Sequence, residues 1–282
     1  MNAPRNVVPT TPRLLVVGLI VLGIACHRQQ QPAPSVPPPS TTTQPKPLPA
    51  PRPATPAITG GTSLLQAMHD RYAGKWYQTL TFVQKTTISL QSGSEIKQTW
   101  HEAMQLPGKL RIDTDLAAHN GTLYSGDSVF AVTAGKLVRA DTGRNVLLIL
   151  GFDVYAQSAA KTMAQLRRDG FDLSKFHEGV WRGKPVYIVG AIWGDTISKQ
   201  FWVEKERLLF VRLIQRSPQG RSDIHFDDYI PAGGGWIAVE VTQYVNGKRR
   251  LLEEYKDVKV DVPLSPALFD PRQWATAPHW AR

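Results

Sequence analysis

The spacing of apolar and polar positions divides the chain into three regimes. Residues 14–25 (LLVVGLIVLGIA) form an unbroken apolar run, and residues 27–60 hold few large apolar side chains. From Ser63 onward, apolar residues recur at regular intervals, first with helical and then mostly with strand period. Ser63-Leu64-Leu65-Gln66 has the form of a capping box, with Ser63 as N-cap and Gln66 reaching back. Leu65, Met68 and Tyr72 then share one helical face, and Gly74 is placed to stop the helix. Over 78–89 the period becomes two, with Leu80, Phe82 and Ile88 on one face among threonines that suit a pleated surface. Strands are predicted over 95–106 (Trp100, Met104 and Leu106 on one face), 109–114, 122–125, 127–133 and 136–140, with glycine-containing turns between them. Residues 146–152 predict a short apolar helix. Residues 158–168 predict an amphipathic one, with Ala159, Met163 and Leu166 aligned and Gly170 as its stop. Strands return over 174–182, 185–193, 198–205, 207–216, 221–230, 235–246 and 249–260. Arg182-Gly183-Lys184, Pro218-Gln219-Gly220 and Asn246-Gly247 supply hairpin chemistry.

Consecutive hairpins make an antiparallel meander, and about eleven strands are too many for a flat open sheet. The expected fold is mainly β: a strongly curved antiparallel sheet, an unclosed β-barrel, with a helical lid over its open side.

Composition changes the picture at the N-terminus. The 12-residue apolar run, flanked by Arg5 and Arg13, falls short of the roughly 20 residues a membrane span needs and fits a secretory signal. It ends at Cys26, the only cysteine in the chain, and so looks like a bacterial lipoprotein signal whose cysteine is lipidated. An ordinary secretory signal with an incidental cysteine is the alternative. Residues 27–60 carry eleven prolines and no acidic residue, which describes an extended spacer. The expected organisation is a signal over 1–25, a lipidated Cys26 with a proline-rich tether over 26–60, and one folded domain over 61–282. His27, rather than aspartate, follows the cysteine, which favours outer-membrane placement facing the periplasm. Of the net charge of +10, five positive residues precede residue 60, leaving +5 on the folded part, without a basic stripe or nucleic-acid motif.

Several stretches resemble the family of periplasmic lipoprotein carriers and outer-membrane lipoprotein receptors, the LolA/LolB-like proteins. They are the opening amphipathic helix, Thr81-Phe82-Val83-Gln84-Lys85, and Leu106-Pro107-Gly108-Lys109-Leu110-Arg111-Ile112-Asp113. Next come the Leu123-Tyr124-Ser125-Gly126-Asp127-Ser128-Val129-Phe130 hairpin and the apolar helix over 146–151. Lys199-Gln200-Phe201-Trp202-Val203 and Leu268-Phe269-Asp270-Pro271 complete the set. The resemblance covers the folded part in order. It implies a cavity that holds acyl chains of lipoproteins or other lipids. The cavity wall would comprise Leu80, Phe82, Trp100, Met104, Leu106, Ile112, Phe201, Val203, Leu209, Val211, Leu213, Ile237, Val239 and Val241. The lid would comprise Leu65, Met68, Leu147, Leu148, Ile149 and Met163. Plain core packing has the same composition. The family's soluble carrier places a lid-latching arginine where this chain has Leu106, which together with the lipidation signal points to an anchored, receptor-like member. The family's receptor touches the membrane through an apolar loop residue, and Leu116 stands in such a loop here.

Expected partners are therefore acyl chains, the membrane through Cys26 and a lipoprotein-sorting partner protein, with no nucleic acid and a monomeric state. No cofactor or metal is expected. Enzyme readings are weaker. In His101-Glu102 and His177-Glu178 the adjacent residues of a strand face opposite sides. His225 and Asp227 share a face and could form an acid–base pair or half a metal site, without an evident third ligand. No G-x-S-x-G, H-E-x-x-H or P-loop motif is present, and Gly233-Gly234-Gly235 reads as a turn. The remaining alternatives are a sensor or scaffold that binds protein with a collapsed cavity, and an envelope hydrolase.

Overall fold

A computed structural model describes residues 57–281; the apolar run, Cys26 and nearly all of the tether lie outside the described residues. Helix α1 (Gly61–Tyr72) starts three residues earlier than its sequence suggested. Gly60 is its N-cap, and Ser63 lies inside the first turn, its Oγ accepting from the N–H groups of Thr59 (3.0 Å) and Gly60 (3.1 Å). Gln66 instead donates to Asp70 one turn on (2.8 Å). The earlier start depends on Gly61, where a Cβ would meet the Leu173 carbonyl at 2.7 Å.

Two meanders follow. The first contains β1 (Thr79–Ser89), β2 (Glu95–Gln105), β3 (Lys109–Asp115), β4 (Asn120–Ser125), β5 (Ser128–Thr133) and β6 (Lys136–Thr142). A helical segment then crosses over the sheet. It consists of α2 (Val146–Leu148), a π turn (Ile149–Asp153), α3 (Val154–Ala156) and α4 (Ala159–Arg168). Asn145 Oδ1 caps it, accepting from the N–H groups of Leu147 (2.9 Å) and Leu148 (3.2 Å). The second meander contains β7 (Phe176–Trp181), β8 (Lys184–Val189), β9 (Gln200–Glu204), β10 (Phe210–Ser217) and β11 (Gly220–Asp227). It continues through β12 (Ile230–Ala232), β13 (Gly235–Ile237), β14 (Glu240–Val245) and β15 (Lys248–Val260).

Thirteen strands form one open antiparallel sheet in the order β6-β5-β4-β3-β2-β1-β15-β14-β11-β10-β9-β8-β7. β15 lies beside β1 and joins the two meanders, Leu80 pairing with Val260 and Ile88 with Leu251. The remaining two strands explain why the single strand expected over 235–246 divides. After Asp228 turns with φ 52°, β12 and β13 leave the main sheet as a separate hairpin, and β14 rejoins it. The hairpin closes over Trp76, against whose ring a Cβ on Gly235 would lie at 2.6 Å.

Period-two alternation sends one side of the strands toward the helices. α1 packs against α3 and α4 above this inner face, and the main core lies between. The outer face of β2–β5 is covered by the C-terminal segment, which makes two 3-10 turns (Pro266–Phe269 and Pro271–Gln273). Its Trp274 lies over the Arg111 guanidinium at 3.8 Å. Arg111 also donates to Asp113 (2.8 Å) and to the carbonyls of Leu268 and Trp274.

Candidate ligand-binding site

Leu80, Phe82, Trp100, Met104, Leu106, Ile112, Phe201, Val203, Leu209, Leu213, Ile237 and Val241 come together in one buried inner cluster with Leu65, Met68, Leu147, Leu148 and Ile149. Val239 and Met163 are half-buried against it; α4 turns Thr162, Gln165 and Leu166 inward rather than Met163. Val211 is elsewhere: it packs with Val186 and Ile188 on the outer face. An irregularity between Phe210 and Arg212 shifts the register of β10 against β9, so strict alternation from Leu209 fails there.

Beneath the helices this cluster is solid. Trp76 stacks on Tyr155 with ring centroids 4.0 Å apart, and Tyr72 meets both edge-on. The Tyr155 hydroxyl donates to the Leu208 carbonyl (3.2 Å) and accepts from the Phe210 N–H (3.1 Å). These aromatics lie in loops and helix ends, where period-two counting does not reach.

Further along the same face, at the ends of β1, β2, β14 and β15, the sheet leaves a pocket of about 800 Å³. Ile88, Leu90, Trp100 and Leu251 give it apolar walls, and Lys248, Arg250 and Asp115 are its charged lining residues. Of the cavity residues named from sequence, Trp100 lines this pocket.

A polar belt separates the two halves. Gln84, Thr86, Glu102 and Glu253 are buried on the inner face. Gln84 Nε2 donates to Thr86 Oγ1 (2.9 Å), and the Tyr255 hydroxyl to Glu253 (3.1 Å). Neither carboxyl oxygen of Glu102 has a hydrogen-bond partner among the described residues. Burial, reinforced by the negative charge of Asp113, pushes the Glu102 carboxyl well above the usual range.

The lid is tied to the sheet by a residue that the sequence did not single out. Asp153, in the π turn, accepts the Gly108 N–H at 2.9 Å, just beyond the apolar Leu106. Burial pushes Asp153 up to about 7, against the lowering effect of that hydrogen bond. Arg144 fastens the other end, pairing with Asp169 (2.6 Å) and Asp127 (3.1 Å).

The His225–Asp227 pair does not form. His225 Nε2 bonds Asp223 at 2.9 Å, and Asp227 pairs with Arg182. Asp223 also holds Arg212 (2.7 Å) and Arg221 (3.1 Å), while the Arg212 guanidinium lies between Trp181 (4.1 Å) and Trp202 (4.4 Å). Burial alone would raise the Asp223 carboxyl, but the hydrogen bonds from Arg212 and His225 outweigh it and hold it below its usual range. This outer-face network is internally matched. His101 and Glu102 face opposite sides of β2 as expected, and Glu178 pairs with Lys205 (2.5 Å). Among the described residues no group of three or more histidines, cysteines or acids could hold a metal, and no helix is long and apolar enough to cross a membrane.

Leu116 is half-buried. Three exposed apolar side chains fall together in the loop over 190–199, Ile192 (62% exposed), Trp193 (79%) and Ile197 (53%), while Val138 and Val180 are exposed elsewhere. The loop is braced by Asp195, which accepts from the N–H groups of Ile197 and Ser198 (2.9 Å each), and by Arg221, which donates to the Thr196 carbonyl (2.7 Å).

No protein-family model matches the chain, and no curated protein matches it. Solved structures do. A domain from Vibrio parahaemolyticus, described as an outer membrane lipoprotein-sorting protein, superposes with a TM-score of 0.51 at 12% identity, over 76% of this chain and 98% of that one. A DUF1329 family protein from Desulfovibrio piger gives 0.49 at 16% identity, over 74% and 95%. A LolA superfamily protein from Nitrosomonas europaea gives 0.46 at 11% identity, over 73% and 97%. With its open antiparallel sheet, inner-face core and helical lid, the chain has the LolA/LolB-like fold.

Proposed function

We propose that this is a lipid-anchored protein of the bacterial envelope that takes acyl chains of lipoproteins or other lipids into its inner face, in outer-membrane lipoprotein sorting, without chemical catalysis. The observation that carries the reading is the 800 Å³ pocket, which opens on the inner face between Ile88, Trp100 and Leu251. Its size is within the range of small-molecule sites. Burying about ten methylenes there yields roughly 8 kcal/mol at ~0.8 kcal/mol per group. That corresponds to about micromolar affinity before ordering costs are subtracted. Lys248 and Arg250 outnumber Asp115 among its lining residues and suit an anionic headgroup. Cys26 is the anchor in this reading. Ile192, Trp193 and Ile197 are the membrane-touching side chains, since aromatic and aliphatic residues partition into the bilayer interface. The solid half of the inner face supports the second reading, a scaffold that binds protein.

The test is native mass spectrometry of the full-length chain, extracted in detergent from the envelope of an expressing bacterium. A co-purifying acyl lipid, absent from Leu251→Arg, is the expected result. A protein that emerges empty and also ignores added palmitate would sink the acyl reading and promote the scaffold.

A further inference from the structure

The inward positions of β1 run Leu80, Phe82, Gln84, Thr86 and Ile88; those of β2 include Gln98, Trp100, Glu102 and Met104. Glu102 pairs with Phe82 and Gln84 with Trp100, so Glu102 and Gln84 are diagonal neighbours on one face. Both are fully buried. Among the described residues both Glu102 oxygens lack a hydrogen-bond partner, and Gln84, whose amide nitrogen is used on Thr86, leaves its Oε1 without one. Buried polar atoms are nearly always matched, so unmatched atoms on two neighbouring side chains need a reason. Trp100 lies between Gln98 and Glu102 on the inner face of β2, lines the pocket, and donates its indole N–H to Gln98 at 2.9 Å. Glu102 is therefore the next inward position of β2 after the pocket-lining Trp100, and Gln84 is the residue of β1 that pairs with that tryptophan.

We infer that Glu102 and Gln84 form a buried polar subsite for the carbonyl-bearing linkage of an acyl ligand, beside the pocket-lining Trp100. The inference rests on the acyl-binding reading above. Burial favours the neutral form of the Glu102 carboxyl, and in that form it is a donor rather than a charge partner. Its O–H donates to a carbonyl oxygen, and Gln84 Oε1 accepts an N–H. A secondary amide satisfies both, an ester one, and a hydrocarbon neither. The chain beyond the linkage runs out along Ile88 and Leu251. The sequence carried no sign of this, because strand alternation shows only that Glu102 and His101 face opposite sides.

The test compares three probes of similar chain length on the full-length chain: N-methylpalmitamide, methyl palmitate and hexadecane, counted by native mass spectrometry. Wild type should bind the amide most tightly, the ester next, and both at least tenfold more tightly than hexadecane. Glu102→Gln, which keeps a donor, should retain most of that preference, and Glu102→Leu should lose it. Equal binding of all three probes by wild type, a result that needs no variant to fold, overturns the subsite and leaves acyl binding standing. If no probe binds, the acyl reading falls and the subsite falls with it.

Discussion

The two halves of the inner face are built on the same strands and meet opposite fates. Beneath the helices, Phe82, Met104 and Phe201 are fully buried among Trp76, Tyr155 and the lid residues. A few residues further along β1 and β2, Ile88 and Trp100 border open volume. The difference lies in what covers them: α1 and the α2–α3 segment reach only one half. The covered half holds the fold together, and the open half is free to take a ligand.

That contrast can be broken most directly by truncation. Phe82→Ala should destabilise by about 3–5 kcal/mol, the usual effect of emptying an aromatic site in a core. Leu251→Ala, at the pocket wall, should lose only about 1–2 kcal/mol, because less packing surrounds it. Equal losses in urea unfolding would show that the two halves are not distinct.

The belt between them predicts an effect of opposite sign. Glu102 has a folded pKa far above its unfolded one, so its contribution is fully present below about pH 4 and is lost as pH rises. Glu102→Leu should therefore gain about 1–3 kcal/mol over wild type at pH 8 and little at pH 4. Thermal melts at the two pH values test this, and a variant less stable at pH 8 would contradict it.

Asp153 sharpens the comparison at the lid. Its carboxyl is raised to about 7, so stability should fall between about pH 4 and 7 and level off above. Asp153→Asn should remove that slope. Losing the bond to Gly108 by Asp153→Ala should weaken the lid by about 1 kcal/mol and speed amide exchange in residues 146–156. Unchanged exchange there would mean that the lid is held elsewhere.

The smallest effect on stability is expected outside both halves. Trp193→Ser should change stability by less than about 0.5 kcal/mol, since the ring is exposed. It should nonetheless lower flotation of the full-length chain with anionic vesicles. Unaltered flotation would remove the loop from the membrane contact.

Most of the architecture was readable from periodicity, since strand alternation and helix spacing follow from which side chains must be buried. The failures are local and physical. Val211 was assigned inward because a bulge between Phe210 and Arg212 leaves no trace in residue type. The strand over 235–246 divides because Trp76, far away in sequence, captures Gly235. The site was less legible. Leu80 and Ile88 look alike in the chain, and only the reach of the helices decides which one borders a pocket. Asp153 and Glu102 were missed because their importance comes from burial.

The pairing of β1 with β15 also bears on how the protein reaches its native state. Leu80 must find Val260, so the two central strands of the sheet come from the two ends of the folded region. Loop-closure entropy makes such a contact slow to form, and high contact order slows folding as a whole. Each meander can zip locally as it emerges, but the seam between them waits for β15. A chain that crosses a membrane from its N-terminus would therefore pass through unjoined, and the sheet would be completed only after nearly all of it had arrived.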